Sequence, residues 1–190
     1  MTTASKRGRS RSVTATLAVQ AAALALATEI GPERVTIERI ATASGVAKTT
    51  IYRRWPNAAA VIMDAFLSDI QSSIAYRKGT TLQDMLCNAL GDFARALVPS
   101  RKDLLRHLVG ASQSDDELAR AFWEKWIGPR RESGQKAMQE FGVSSEEASL
   151  ALDLLYGAFY YRMLIPYAEI DDAWINAVVQ RVFPATNAET

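Results

Sequence analysis

Apolar residues recur three and four positions apart along most of this chain, the spacing of a helix face, and no stretch alternates as a half-buried strand would. Ile37, Ile40 and Ala41 form one run, and Ala47, Ile51 and Trp55 a second, at i, i+4 and i+8. Val61, Ala65, Phe66 and Ile70 form a third, then Leu82, Met85, Leu86, Leu90, Phe93 and Leu97 a fourth. Near the end, Ile175, Val178, Val179 and Val182 share one side. Residues 146–165 differ in being apolar nearly all round, with Leu150, Leu152, Leu154, Leu155, Tyr156, Phe159, Tyr160, Met163 and Leu164. The pattern predicts an all-α chain of about nine helices and no strand.

Caps and breakers set the expected ends. A Leu- and Ala-rich helix over 13–30 stops at Gly31 and Pro32. Asn57 caps a helix from Ala58 to about Tyr76, which Lys78, Gly79 and Thr80 break; Thr81 caps the next, to about Val98. Pro99 stops that one, and Ser100 with Asp103 opens a helix to about Val109. Ser114 with Glu117 reads as a capping box for a longer helix to about Phe141, kinked or broken near 127–128 because Pro129 lies inside it. Gly142 closes that helix, and Ser144 or Ser145 opens 146–165, which Pro166 ends. Asp171 and Asp172 cap a last helix to about Phe183.

The densest signal lies in 36–57, TIERIATASGVAKTTIYRRWPN. Thr36 is an N-cap, Ser44, Gly45 and Val46 make a tight turn, and the helix restarts at Ala47. With Ala47, Ile51 and Trp55 turned inward, the outward arc holds Lys48, Thr49, Thr50, Tyr52 and Arg53, with no carboxylate among them. Cations and hydroxyls on a short helix suit a DNA major groove: Arg and Lys bond phosphates or guanine edges, and threonine bonds either partner.

The string T-I-x-x-I-A-x-x-S-G-V-A-x-x-T-I-Y-R-R-W-P resembles the helix-turn-helix of the TetR family of transcriptional repressors, and the similarity runs over about 17–66. The resemblance implies an all-helical homodimer, with a small N-terminal DNA-binding domain followed by a larger domain that binds an effector and forms the dimer. By position, Thr36 and Tyr52 would hold phosphates, while Lys48, Thr49, Thr50 and Arg54 would sit at or near base edges. The family usually has a lysine straight after the residue matching Asn57, and this chain has Ala58. One lost phosphate contact makes the expected salt dependence shallower by about one unit of slope.

Charge agrees with that division. Residues 1–57 carry nine Lys or Arg against three Glu, leaving thirteen cations against eighteen anions in 58–190. The expected domains are a disordered basic arm over 1–12, a DNA-binding domain over 13–57, and an effector-binding and dimerisation domain over 58–190. The arm holds Lys6, Arg7, Arg9 and Arg11 and suits an adjacent minor groove. A basic start before an Ala/Leu run looks like a secretory signal, but Thr14, Thr16, Gln20 and Thr28 interrupt it, and cleavage would remove the first helix of the DNA-binding unit. No membrane span is expected. The single Cys87 excludes an internal disulfide and fits a reducing cytoplasm.

The second domain concentrates aromatic and sulfur-bearing side chains. Such side chains at helical spacing pack a core or line a pocket; the resemblance implies an effector pocket here, suited to a small apolar or aromatic molecule, with Met85, Phe93, His107, Trp123, Trp126, Tyr156, Tyr160 and Met163 as the candidates. A helix apolar all round needs cover on more than one side. That cover is either the core of one protomer or a second copy; the resemblance implies the second, a four-helix seam whose candidates are Leu154, Ala158, Tyr161, Ile175, Val178, Val179 and Val182. One His and one Cys supply no zinc site or nucleophilic pair, so neither catalysis nor a cofactor is expected. The reading is a ligand-responsive transcriptional regulator, a repressor released from a palindromic operator by a small-molecule effector. The alternative is a helical ligand- or protein-binding module without sequence-specific DNA binding.

Overall fold

The computed structural model describes residues 5–71, 75–77 and 79–184. Ten α-helical segments follow one another: α1 Ser5–Ile30, α2 Ile37–Ser44, α3 Lys48–Tyr52, α4 Ala58–Ile70 and α5 Leu82–Ala96, then α6 Pro99–Ser112, α7 Asp116–Phe122, α8 Gly128–Gln139, α9 Ser145–Leu164 and α10 Asp172–Val182. A π turn, Trp123–Ile127, joins α7 to α8, so the described residues hold nine separate helices and no strand. They form two compact units, Met1–Asp69 with Asp103–Arg120, and Ile70–Lys102 with Ala121–Thr190.

In the first unit α1 packs on α2, burying Val19, Gln20, Ala23 and Ala27. The stretch expected as an arm is helical from Ser5, because extending a helix already nucleated over 13–30 costs little even across Gly8. Ser12–Ile30 is long and apolar enough to cross a membrane by length and composition, but its buried face is already used in the fold. Thr36 accepts a hydrogen bond from the Arg39 amide at 3.3 Å, and Gly45 ends α2 at φ 68°, a left-handed conformation that costs glycine nothing. α3 has only five residues, shorter than the span from Ala47 to Trp55 over which the helical spacing predicts it to run. Ala47 is its exposed N-cap, so of the expected inward trio only Ile51 and Trp55 are buried.

Asn57 caps α4 as expected, accepting from the Ala60 amide at 2.9 Å. α4 ends at Ile70 rather than near Tyr76; residues 72–74 and Lys78 lie outside the described residues, and 75–77 are not helical. Pro99 opens α6 instead of ending its predecessor. Its missing N–H and fixed φ suit the first turn of a helix, so Ser100 is inside α6, which runs on to Ser112. Asp115, not Ser114, accepts from the Leu118 amide at 2.9 Å at the start of α7.

The expected break near 127–128 is the π turn. Pro129 cannot donate to the carbonyl four residues back and its ring crowds it, and the wider turn relieves both. In the second unit α8 packs on α9, and α10 packs on α5 and α9. The expected caps Thr81, Ser144 and Asp171 each accept an amide hydrogen bond. A Cβ on Gly134 would meet the Tyr76 hydroxyl at 2.7 Å and Leu152 at 2.9 Å, so that glycine sets how closely these groups approach. Phe93, Met138, Leu152, Leu155, Phe159 and Met163 are fully buried.

Candidate nucleic-acid interface and inner cavity

The recognition segment rests on a small polar hub. Trp55 Nε1 donates to Asp64 Oδ2 at 3.2 Å, and Gln20 Nε2 donates to the same oxygen at 3.0 Å and to Ser68 Oγ at 3.2 Å. Asp64 thus ties α1, the end of the helix-turn-helix and α4 together, while Ile51 fills the space beneath α3. Both donors belong to buried residues, so the hub fixes where α3 sits. Sequence reading passed over Asp64, because an acid on a helix reads as surface unless its partners are known.

Above that anchor, Thr36, Lys48, Thr49, Tyr52, Arg53 and Arg54 are exposed and Thr50 is half-buried. Three of the seven are already engaged. Thr36 spends its oxygen on the α2 cap. Arg54 Nη1 donates to the Ser12 carbonyl at 3.3 Å, with its guanidinium carbon 5.6 Å from the centre of the Trp55 ring, so it braces α1. Lys48 Nζ lies 3.3 Å from Glu38 Oε1. A cleft of about 320 Å³ opens between α1 and α3, floored by Ala15, Val19, Val46 and Ile51 and rimmed by Thr50, Arg53 and Arg54.

The Lys48–Glu38 pair changes the electrostatics of the face. Its own backbone N–H and then Lys48 hold the Glu38 carboxyl below the usual carboxylate range, so Glu38 is a carboxylate at neutral pH. One cation of an otherwise acid-free arc is therefore partly neutralised. Glu38→Gln should release Lys48 to DNA, where it reaches a phosphate whenever no matching base edge is present. Fluorescence anisotropy at several salt concentrations should then show tighter binding to non-specific DNA and a salt slope steeper by about one unit. An unchanged slope would mean that Lys48 reaches phosphate whether or not Glu38 is present.

In the second unit the predicted pocket residues separate. Phe93, Trp126, Tyr156 and Tyr160 do converge, with Ile127, Arg130 and Arg131, around a cavity of about 50 Å³. Phe93 stacks on Phe159 at 4.7 Å and is tilted against the other three rings. Trp126 Nε1 donates to Tyr160 Oη at 3.1 Å, and the Tyr76 and Tyr156 hydroxyls are 2.8 Å apart. Burial pushes the Tyr160 phenol up to about 12 and Tyr76 well above its usual value, so both stay neutral. The other predicted residues lie elsewhere. Trp123 is 54% exposed on the π turn, Met85 is buried, and His107 is on α6 within the first unit. Met163 lines a separate cavity of about 240 Å³ with Lys102 and Glu169.

The predicted seam also divides. Leu154 and Tyr161 are 53% and 58% exposed on α9, in line with the exposed Leu150 and Ile165, and Ala158 is half-buried. Ile175 and Val179 are already covered inside the protomer because α10 turns that stripe to α5 and α9; Val178 and Val182 are half-buried. Burial is the main force raising the Cys87 thiol above its ordinary value, which makes it a poor nucleophile.

Similarity to known proteins agrees with this geometry. Residues 20–62 match the family described as bacterial regulatory proteins, tetR family, and residues 78–182 match the tetracyclin repressor-like C-terminal domain. The HTH-type transcriptional regulator YdeS of Bacillus subtilis (strain 168) is 35% identical over 97% of this chain and 96% of its own length. Among solved structures, the TetR family transcription regulator SCO0332 superposes with a TM-score of 0.73 at 29% identity, covering 86% of this chain and 93% of that one. A TetR-family regulator from Mesorhizobium loti shares the fold, with a TM-score of 0.67 at 18% identity over 90% of this chain and 96% of its own. Matched at both ends by family and along nearly its whole length by a relative, the chain belongs to the TetR family of transcriptional regulators, which bind DNA and are not enzymes.

Proposed function

We propose that this regulator is a cytoplasmic homodimeric repressor, released from a palindromic operator when a small molecule occupies its second unit. The observation that carries the DNA-reading part is the exposed, acid-free arc Lys48, Thr49, Tyr52 and Arg53, held over the buried anchor of Ile51, Trp55 and Asp64. A dimer presents that arc twice, and two copies read a two-fold symmetric site with half-sites about one helical turn or slightly more apart. The division of labour proposed is 13–57 for DNA and 58–190 for effector and dimer. The effector acts by its differential affinity for two states of the dimer, of which only one matches the operator spacing, and the helix begun by Asn57 carries the change.

Selection of bound duplexes from a random DNA pool tests this reading, with a two-fold symmetric consensus as the expected outcome. No consensus, with binding lost at moderate salt, would reduce the basic face to a non-specific surface. Once the consensus is known, side-chain roles separate cleanly. Tyr52→Phe should weaken binding to all sequences alike, as loss of a phosphate contact does. Lys48→Ala should instead change the preferred base at one position of each half-site, read by repeating the selection.

A further inference from the structure

Arg130 has an unusual environment for a cation beside a cavity. Its guanidinium carbon lies 4.6 Å from the centre of the Trp126 ring and 5.3 Å from that of Phe93. Among the described residues it makes no hydrogen bond and no ion pair, whereas neighbouring Arg131 is held by Asp153 and Ser149. Face contact with a ring leaves the N–H fork in the guanidinium plane free to donate. Arg130 lines the same cavity as Trp126, Tyr156 and Tyr160, so an unused fork and a set of aromatic walls share one space.

We infer that this cavity takes a small organic carboxylate whose body is one planar apolar ring, its carboxylate held bidentately by Arg130. The inference rests on the proposed effector role of the second unit and names the effector's chemical class. An aromatic cage alone would suit an organic cation, but Arg130 at the wall, with no acid paired to it among the described residues, repels one. A neutral apolar guest would cover the Arg130 donors without replacing their water, which is costly. An anion satisfies them with charge-assisted bonds in the fork–fork geometry that suits arginine, while Phe93, Tyr156 and Tyr160 take the ring. Size adds a consequence. The cavity measures about 50 Å³, whereas an engineered cavity of about 150 Å³ is what holds benzene elsewhere. A ring therefore enters only as the wall yields, and the side chain free to move toward the incoming charge is Arg130.

The test is isothermal titration calorimetry of the full chain with benzoate and phenylacetate against their neutral amides, benzamide and phenylacetamide. The acids should bind roughly tenfold more tightly than the amides, and Arg130→Met should erase the difference while the helical melt stays cooperative. Should Arg130→Met fail to fold, Arg130→Lys keeps the charge without the planar fork and should shrink the preference without abolishing it. Amides that bind as well as acids would overturn the anion assignment and leave the cavity as an effector site. No binding by any of the four at millimolar concentration would overturn both. Acids that bind without changing DNA affinity would support the anion site while removing its effector role.

Discussion

Asp64→Ala should lower the stability of the DNA-reading unit by about 2–3 kcal/mol, because it leaves the Trp55 indole N–H without its acceptor in a buried position. Gln20 keeps Ser68 as a second acceptor, so the loss falls mainly on the tryptophan. For a chain of 190 residues that loss corresponds to a fall in melting temperature of about 4–12 °C. DNA affinity should drop with it even below the melt, since Trp55 closes the segment whose outer face carries Lys48 and Tyr52. Asp64→Asn separates two explanations. Its amide oxygen can still accept from the indole, so it should recover most of the stability if the hydrogen bond is what matters. A melting curve for Asp64→Ala that overlays the wild type would show that water replaces the carboxylate, and that the hub contributes nothing to holding α3.

What could be read from sequence was local. Thr36, Asn57, Thr81, Ser144 and Asp171 cap helices by accepting from the amide three residues on, and Gly45 and Gly142 reverse the chain at positive φ. Such features depend on the residue and its immediate neighbours. Proline was harder, since the same ring that ends a helix also starts one. Pro99 starts α6, and Pro129 is absorbed by a π turn that no short-range rule specifies. The pocket was legible only in part, because residue type does not say which way a helix faces. Trp123 and Trp126 lie three residues apart, yet one is exposed and the other buried in the aromatic cluster. Asp64, Glu38 and Arg130 escaped notice for a related reason. Each takes its role from partners on other helices, or, for Arg130, from the lack of an acidic one.

Leu154→Arg should convert the proposed dimer to a monomer while leaving the protomer folded. Leu150, Leu154 and Tyr161 on α9, with Ile165 just past its end, lie four or seven residues apart and form an exposed apolar stripe. Ile175 and Val179 on α10 are closed inside the protomer, so a partner must seat mainly on α9. A two-fold interface uses the same patch on both copies, so one substitution places two arginines in it, each desolvated and repelling the other. Because Leu154 is 53% exposed in the protomer, helicity and the thermal melt of the single chain should change little. Light scattering after size exclusion should report half the wild-type mass. Operator affinity should fall by roughly a hundredfold or more, since each half-site is then held by one recognition helix without the gain from linking two. Ile175→Arg is the contrasting control. At 2% exposure it should unfold the second unit rather than split a dimer. A Leu154→Arg protein that stays dimeric with wild-type operator affinity would place the seam elsewhere, and would leave the α9 stripe free for a different partner.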